Sequence, residues 1–118
     1  DRKLISRESN ATPGAMPDEF IDQAMAHFDQ GTQRAILRLY RSSPSAVLAE
    51  AGKDLNKITC PTLVLWGEND PYIAPRFGDA YAAAIPNAEV EHLDGAGHWP
   101  WLDRPDVIDK ASAFLTAS

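Results

Sequence analysis

Apolar positions follow two different rhythms along this chain. Thr62-Leu63-Val64-Leu65-Trp66 is a short unbroken apolar run rich in β-formers, bracketed by Pro61 and Gly67. Such a run predicts a strand buried on both faces, as inside a parallel sheet. The turn-forming cluster Gly67-Glu68-Asn69-Asp70-Pro71 ends it sharply. Asp70 is thereby left in a loop at the strand's carboxyl end, where open α/β sheets keep their sites. Ala88 to Leu93 predicts a second strand, with Glu89 and Glu91 on one side and Val90 on the other, the alternation of a sheet edge. The glycine-rich loop Asp94-Gly95-Ala96-Gly97-His98 follows it and presents one histidine.

Elsewhere the spacing is helical. Residues 1 to 15 are polar and mixed, and read as a loop. Pro17 suits a first helical position, with Asp18 and Glu19 in the first turn. Phe20, Ala24, Met25 and Phe28 then share a face, a core stripe by default, and Gly31 should stop the run. Thr32 can cap a second helix carrying Ile36, Leu37, Leu39 and Tyr40, and Ser43-Pro44 opens a third that runs through Val47 and Leu48 to Gly52. Between the strands, Phe77, Tyr81, Ala84 and Ile85 predict a helix broken by Pro86-Asn87. A last helix has Asp103 as its expected N-cap and Val107, Ile108, Ala111, Phe114 and Leu115 as its stripe. The expected architecture is α/β, with helices alone over residues 1–52 and a βαβα unit over residues 53–118. No internal repeat or low-complexity segment interrupts it.

Composition narrows the function classes. Seventeen acids against 11 Lys and Arg give a net charge of −6, which leaves no basic footprint for nucleic acid. No apolar run is long enough for a membrane span, and no signal-peptide pattern is visible. Cys60 is the single cysteine, so no internal disulfide forms, and a reducing, cytoplasmic setting is expected. His27, His92 and His98 fall in no metal-ligand spacing, and no cofactor is expected. His27 and His92 read as surface residues. The chain opens at Asp1 rather than Met, from which a missing upstream segment is expected.

The candidate chemistry rests on Asp70 and His98. A histidine can take a proton from a nucleophile and return it to a leaving group. It needs a partner on its other ring nitrogen, and a buried carboxylate serves best. Each residue also has a plainer reading. His98 could be a loop histidine bonded to a carbonyl, and Asp70 a turn aspartate bonded to its own backbone. Their placement in loops after two successive strands favours the pair. Trp99 either lines the pocket beside the base or packs; Trp66 reads as core.

At these residues the sequence resembles a known family. Pro61-Thr62-Leu63-Val64-Leu65-Trp66-Gly67-Glu68-Asn69-Asp70 and Asp94-Gly95-Ala96-Gly97-His98-Trp99-Pro100, followed by Asp103-Arg104-Pro105-Asp106, resemble the carboxyl-terminal part of an α/β-hydrolase. The nearest subgroup holds haloalkane dehalogenases, epoxide hydrolases, esterases and perhydrolases. The resemblance runs from about Leu55 to Leu115. Upstream, Thr32 to Arg41 resembles the helix that returns from the lid, which makes residues 1–31 lid. It implies that Asp70 is the triad acid and His98 the triad base. The implied substrate is a small, mostly apolar ester, epoxide or haloalkane.

One part of the family pattern is missing. The nucleophile sits on a Gly-x-Ser-x-Gly-like elbow, and none occurs here. Ser6, Ser9, Ser42, Ser43, Ser45, Ser112 and Ser118 lack flanking glycines, and Cys60 precedes the strand, at its opposite end from Asp70. The chain is therefore expected to carry two of three triad members and to be inactive alone. The alternative is a non-catalytic folding or association module derived from the same fold. A flavodoxin-like nucleotide binder is poorly supported, because neither loop forms a glycine-rich phosphate cradle. With the preceding strands missing, the apolar strand edge should recruit a second copy and give a homo-oligomer.

Overall fold

The computed structural model describes residues 10–117. The start of the leading polar loop, with Ser6 and Ser9, lies outside the described residues, as does Ser118. The elements follow the expected order: α1 (Asp18–Ala26), α2 (Gln30–Ser42), α3 (Ser45–Gly52), a 3-10 turn (Leu55–Lys57), β1 (Thr62–Gly67), α4 (Arg76–Ala84), β2 (Ala88–Leu93), a one-turn α5 (Pro100–Asp103) and α6 (Asp106–Thr116).

The two strands pair in parallel, in register from Thr62 opposite Ala88 to Gly67 opposite Leu93. A parallel pair needs a crossover, and α4 supplies it while packing on both strands. Alternation along β1 decides which helix meets which face. Trp66 turns toward α4, its ring 6.3 Å from that of Tyr81. Leu65 turns the other way, onto the cluster of Leu93, Ala96 and Val107 that joins β2, the histidine loop and α6. The βαβα unit is thus a thin sheet between two helices, and its carboxyl edge is where both loops emerge.

Several local expectations are corrected by capping chemistry. Pro17 is the N-cap of α1 and not its first residue. Gly31 does not stop a helix but lies inside α2, because Asp29 and not Thr32 is the cap: the Asp29 carboxylate accepts the Thr32 N–H at 2.7 Å. Asp103 does not cap the last helix either, since α6 begins three residues later and Pro105 holds the capping position.

The larger departure is burial. The residues of β1 before Gly67 are half-buried and not enclosed, since among the described residues only β2 pairs with the strand. On α1 the buried residue is Ile21, while Phe20 and Met25 of the expected core stripe are exposed, as is Phe28, which falls beyond the helix end. Helices α2 and α3 bury nothing: Leu39 is 63% and Tyr40 77% exposed, and Val47 and Leu48 are open as well. The Cα radius of gyration is 16.4 Å, against about 13.5 Å for a compact domain of this length. Among the described residues, the amphipathic faces that give α2 and α3 their periodicity find nothing to cover them.

Candidate active site

The end of β1 and the loop after β2 are tied together by backbone before any side chain takes part. Glu68 N–H donates to the Leu93 carbonyl at 3.2 Å, and Asn69 N–H to the Ala96 carbonyl at 2.9 Å. Asp70 and His98 are carried on these two linked turns.

His98 Nδ1 lies 2.9 Å from Asp70 Oδ2, a direct hydrogen bond, so the expected approach of the two residues is observed. The other carboxylate oxygen, Oδ1, accepts the Tyr72 N–H at 2.8 Å and the Ile73 N–H at 3.1 Å. The two readings of Asp70 are therefore both met: one oxygen closes its own turn and the other holds the imidazole. Burial works to raise the Asp70 carboxyl. The hydrogen bonds from His98, Tyr72 and Ile73 outweigh it and hold the group below its ordinary 3.8. Asp70 thus stays a carboxylate, 9% exposed at its side chain, while the His98 side chain is 34% exposed. With Nδ1 tied to Asp70, Nε2 is the nitrogen left for a reacting proton.

Aromatic rings surround the imidazole. Tyr72 meets it edge-on at 5.0 Å, and Trp99 does so at 5.6 Å. Trp99 also contacts Trp101 at 5.5 Å and, from α1, Phe20 at 6.3 Å. Phe20, expected in a core stripe, instead joins the helical half to the Trp99 ring beside the histidine. A recess of about 240 Å³ opens beside the pair, walled by Trp66, Ile73, Pro100 and Trp101. Trp66 is half-buried, with its Nε1–H donated to the Ile73 carbonyl at 3.2 Å.

The other singled-out residues lie elsewhere. His27 is exposed. His92 is half-buried and pairs with Asp79 at 2.7 Å, tying β2 to α4. Cys60 is exposed, ahead of β1. Among the described residues no cluster of three or more His, Cys, Asp or Glu could hold a metal ion, and no helix is long and apolar enough to cross a membrane.

Asp103 is the site neighbour that sequence reasoning misplaced. Its Oδ2 accepts the Gly97 N–H at 2.9 Å, the Ala11 N–H at 3.1 Å and Asn10 Nδ2–H at 3.1 Å. Its Oδ1 accepts the Thr12 N–H at 2.8 Å. Burial opposes ionisation here too, but the N–H groups of Gly97, Thr12 and Ala11 prevail and hold the carboxyl below 3.8. The signal was Pro105, which moves the helix start downstream and frees an aspartate two residues earlier to reach back.

Asp70 and Asp103 both have depressed carboxyl pKa values in the folded state. Each contributes stability that is fully present above the unfolded value near 3.8 and is lost as pH falls through the lower folded value. Urea unfolding followed by circular dichroism should show stability flat down to about pH 5 and falling steeply below about pH 4. Asp103→Asn should make that fall shallower.

Comparison with known proteins agrees with this architecture. The model of the alpha/beta hydrolase family matches residues 3–111. A 2-hydroxy-6-oxononadienedioate/2-hydroxy-6-oxononatrienedioate hydrolase of Cupriavidus pinatubonensis is 42% identical over 59 residues, which are 50% of this chain and 20% of that protein. Epoxide hydrolase 4 of Homo sapiens is 35% identical over 54 residues, 45% of this chain and 15% of that protein. Among solved structures, a serine hydrolase from the bacterium Cycloclasticus zankles superposes with a TM-score of 0.76 at 15% identity. That superposition covers 97% of this chain and 43% of that one. The matches span 15% to 20% of the length of these two curated relatives. With a family match over nearly its whole length, it belongs to the alpha/beta hydrolase family.

Proposed function

We propose that this chain supplies the acid and the base of a hydrolase that works by nucleophilic catalysis, with the nucleophile carried on a part of the protein outside these 118 residues. The observation that carries this reading is the 2.9 Å bond from His98 Nδ1 to a carboxylate oxygen of Asp70, set at the carboxyl end of parallel strands. Asp70 fixes the tautomer, so that Nε2 is the free base. If the nucleophile is a serine, Nε2 takes its proton on attack and returns it to the leaving group. If it is an aspartate, Nε2 takes a proton from the water that cleaves the ester intermediate. No Gly-x-x-x-Gly spacing occurs among the seven glycines, so the chain holds no elbow of its own.

The aromatic and aliphatic walls of the recess fit a small, mostly apolar substrate, with Trp99 packed edge-on against the base just outside that wall and α1 to α3 serving as lid and return helices. Relatives named as an epoxide hydrolase and a dienedioate hydrolase fit the same broad chemistry. The open edge of β1 would pair with preceding strands of the complete sheet, and in the chain alone with a second copy.

The test compares this chain with the complete reading frame on aryl esters and epoxides. The complete protein should hydrolyse at least one class in a His98-dependent manner. The chain by itself should show rates unchanged by His98→Ala and scatter light as a dimer. A His98-dependent rate from the chain alone would place the nucleophile within it and overturn the proposal.

A further inference from the structure

We propose that Asp103 is a positioning residue that sets the height of the catalytic histidine loop by clasping it to the segment entering the lid helices. The inference rests on the reading of His98 as the base, and adds a residue outside the acid–base pair.

The geometry is that of a four-way clasp. One carboxylate oxygen takes the Gly97 N–H from the residue directly before His98, together with donors from Asn10 and Ala11, and the other takes Thr12 N–H. Asn10 adds a bond from its Nδ2–H to the Trp99 carbonyl at 3.3 Å, on the other side of His98. The two backbones touch: a Cβ on Gly97 would come within 2.7 Å of Ala11 N and 2.8 Å of the Asn10 Cα. Asn10 and Gly97 are both buried. A charged acceptor that satisfies converging N–H groups is the strong kind of hydrogen-bonding centre.

The consequence for catalysis is local. Gly97 and Trp99 flank His98 and are both held against residues 10–12, so displacing that segment displaces the imidazole relative to Asp70. Asp70 has anchors of its own that the clasp does not touch, the Tyr72 and Ile73 N–H groups of its turn. Loss of the clasp therefore changes the relation between acid and base and not merely their common position.

Asp103→Asn tests this. It keeps the size of the side chain but turns one oxygen into a donor facing N–H groups. In the complete protein kcat should fall about 10- to 100-fold, the scale of a misplacement near 1 Å, with KM within twofold. Asp106→Asn, in the first turn of α6 and bonded to Arg104, serves as the control and should leave both constants unchanged. In the chain itself, the Gly97 and Thr12 amides should exchange at least tenfold faster with solvent in Asp103→Asn. Asn10→Ala removes one donor only, and gives a milder loss of kcat should Asp103→Asn fail to fold. If His98→Ala abolishes turnover while Asp103→Asn and Asn10→Ala leave kcat intact, the clasp is overturned and the histidine's role stands. If His98→Ala leaves turnover intact, it is the underlying reading that fails.

Discussion

Asp70→Asn in the complete protein should lower kcat by about 10⁴, the scale known for losing this partner in a protease triad, while leaving the fold in place. The two oxygens of Asp70 do separate work, and asparagine preserves only one of them. Its remaining oxygen can still accept the Tyr72 and Ile73 N–H groups, so the turn after β1 survives. Its amide nitrogen then takes the place of Oδ2 and offers a donor to His98 Nδ1, which lies at 2.9 Å in the native protein. Nδ1 must give up its proton to accept that bond, and the proton moves to Nε2. The nitrogen that should take a proton from the nucleophile is then already protonated. Steady-state kinetics beside thermal unfolding checks this. A loss below tenfold with the fold intact would mean that another carboxylate orients His98.

What the sequence conveyed and what it hid follow from the range of the interactions. The strand from Thr62, its turn and the loop ending at His98 were legible because each is encoded by a few adjacent residues: an apolar run, a Gly-Glu-Asn-Asp-Pro stop, and Gly95 and Gly97 around one alanine. Asp70 and His98 could be paired because two parallel strands in one sheet must bring their carboxyl ends to the same edge. Asp103 was misplaced because its partners in residues 10–12 lie at the far end of the chain. A local reading could offer it only a local task, a helix cap.

The helical half shows the opposite limit. Periodicity identified α1 to α3 correctly, yet it could not say what their apolar faces would meet. An apolar stripe signals a surface to be covered, and burial depends on whether the covering elements are present. Ile36, Leu37, Leu39 and Tyr40 keep the pattern of a packed helix while remaining 40% or more exposed. Phe20 escapes this only in part, by reaching Trp99. The local motifs around Asp70 and His98 are complete while the faces of α2 and α3 stay open among the described residues.

Gly67→Ala should be the least tolerated addition of a methyl group among the seven glycines. Gly67 is the last residue of β1, buried, and it faces the histidine loop across a gap with no room in it. A Cβ there would lie 2.3 Å from the Gly97 carbonyl oxygen and 2.6 Å from that of Ala96. Both contacts are with backbone, so no side-chain rotation relieves them. Either the strand end or the loop must move, and the two are joined by the Glu68 and Asn69 N–H bonds to Leu93 and Ala96. Overpacking against fixed backbone costs about 3 kcal/mol, and here it also strains those bonds. Relief by separation would carry His98 away from Asp70, because each sits a few residues beyond the clash on its own side. A shift near 1 Å is worth about 10² in rate. Urea unfolding should therefore show a lower midpoint with an unchanged slope, and kcat in the complete protein should fall about a hundredfold or more. A variant with the native midpoint and native kcat would mean that the loop can retreat as a unit without disturbing the pair it presents.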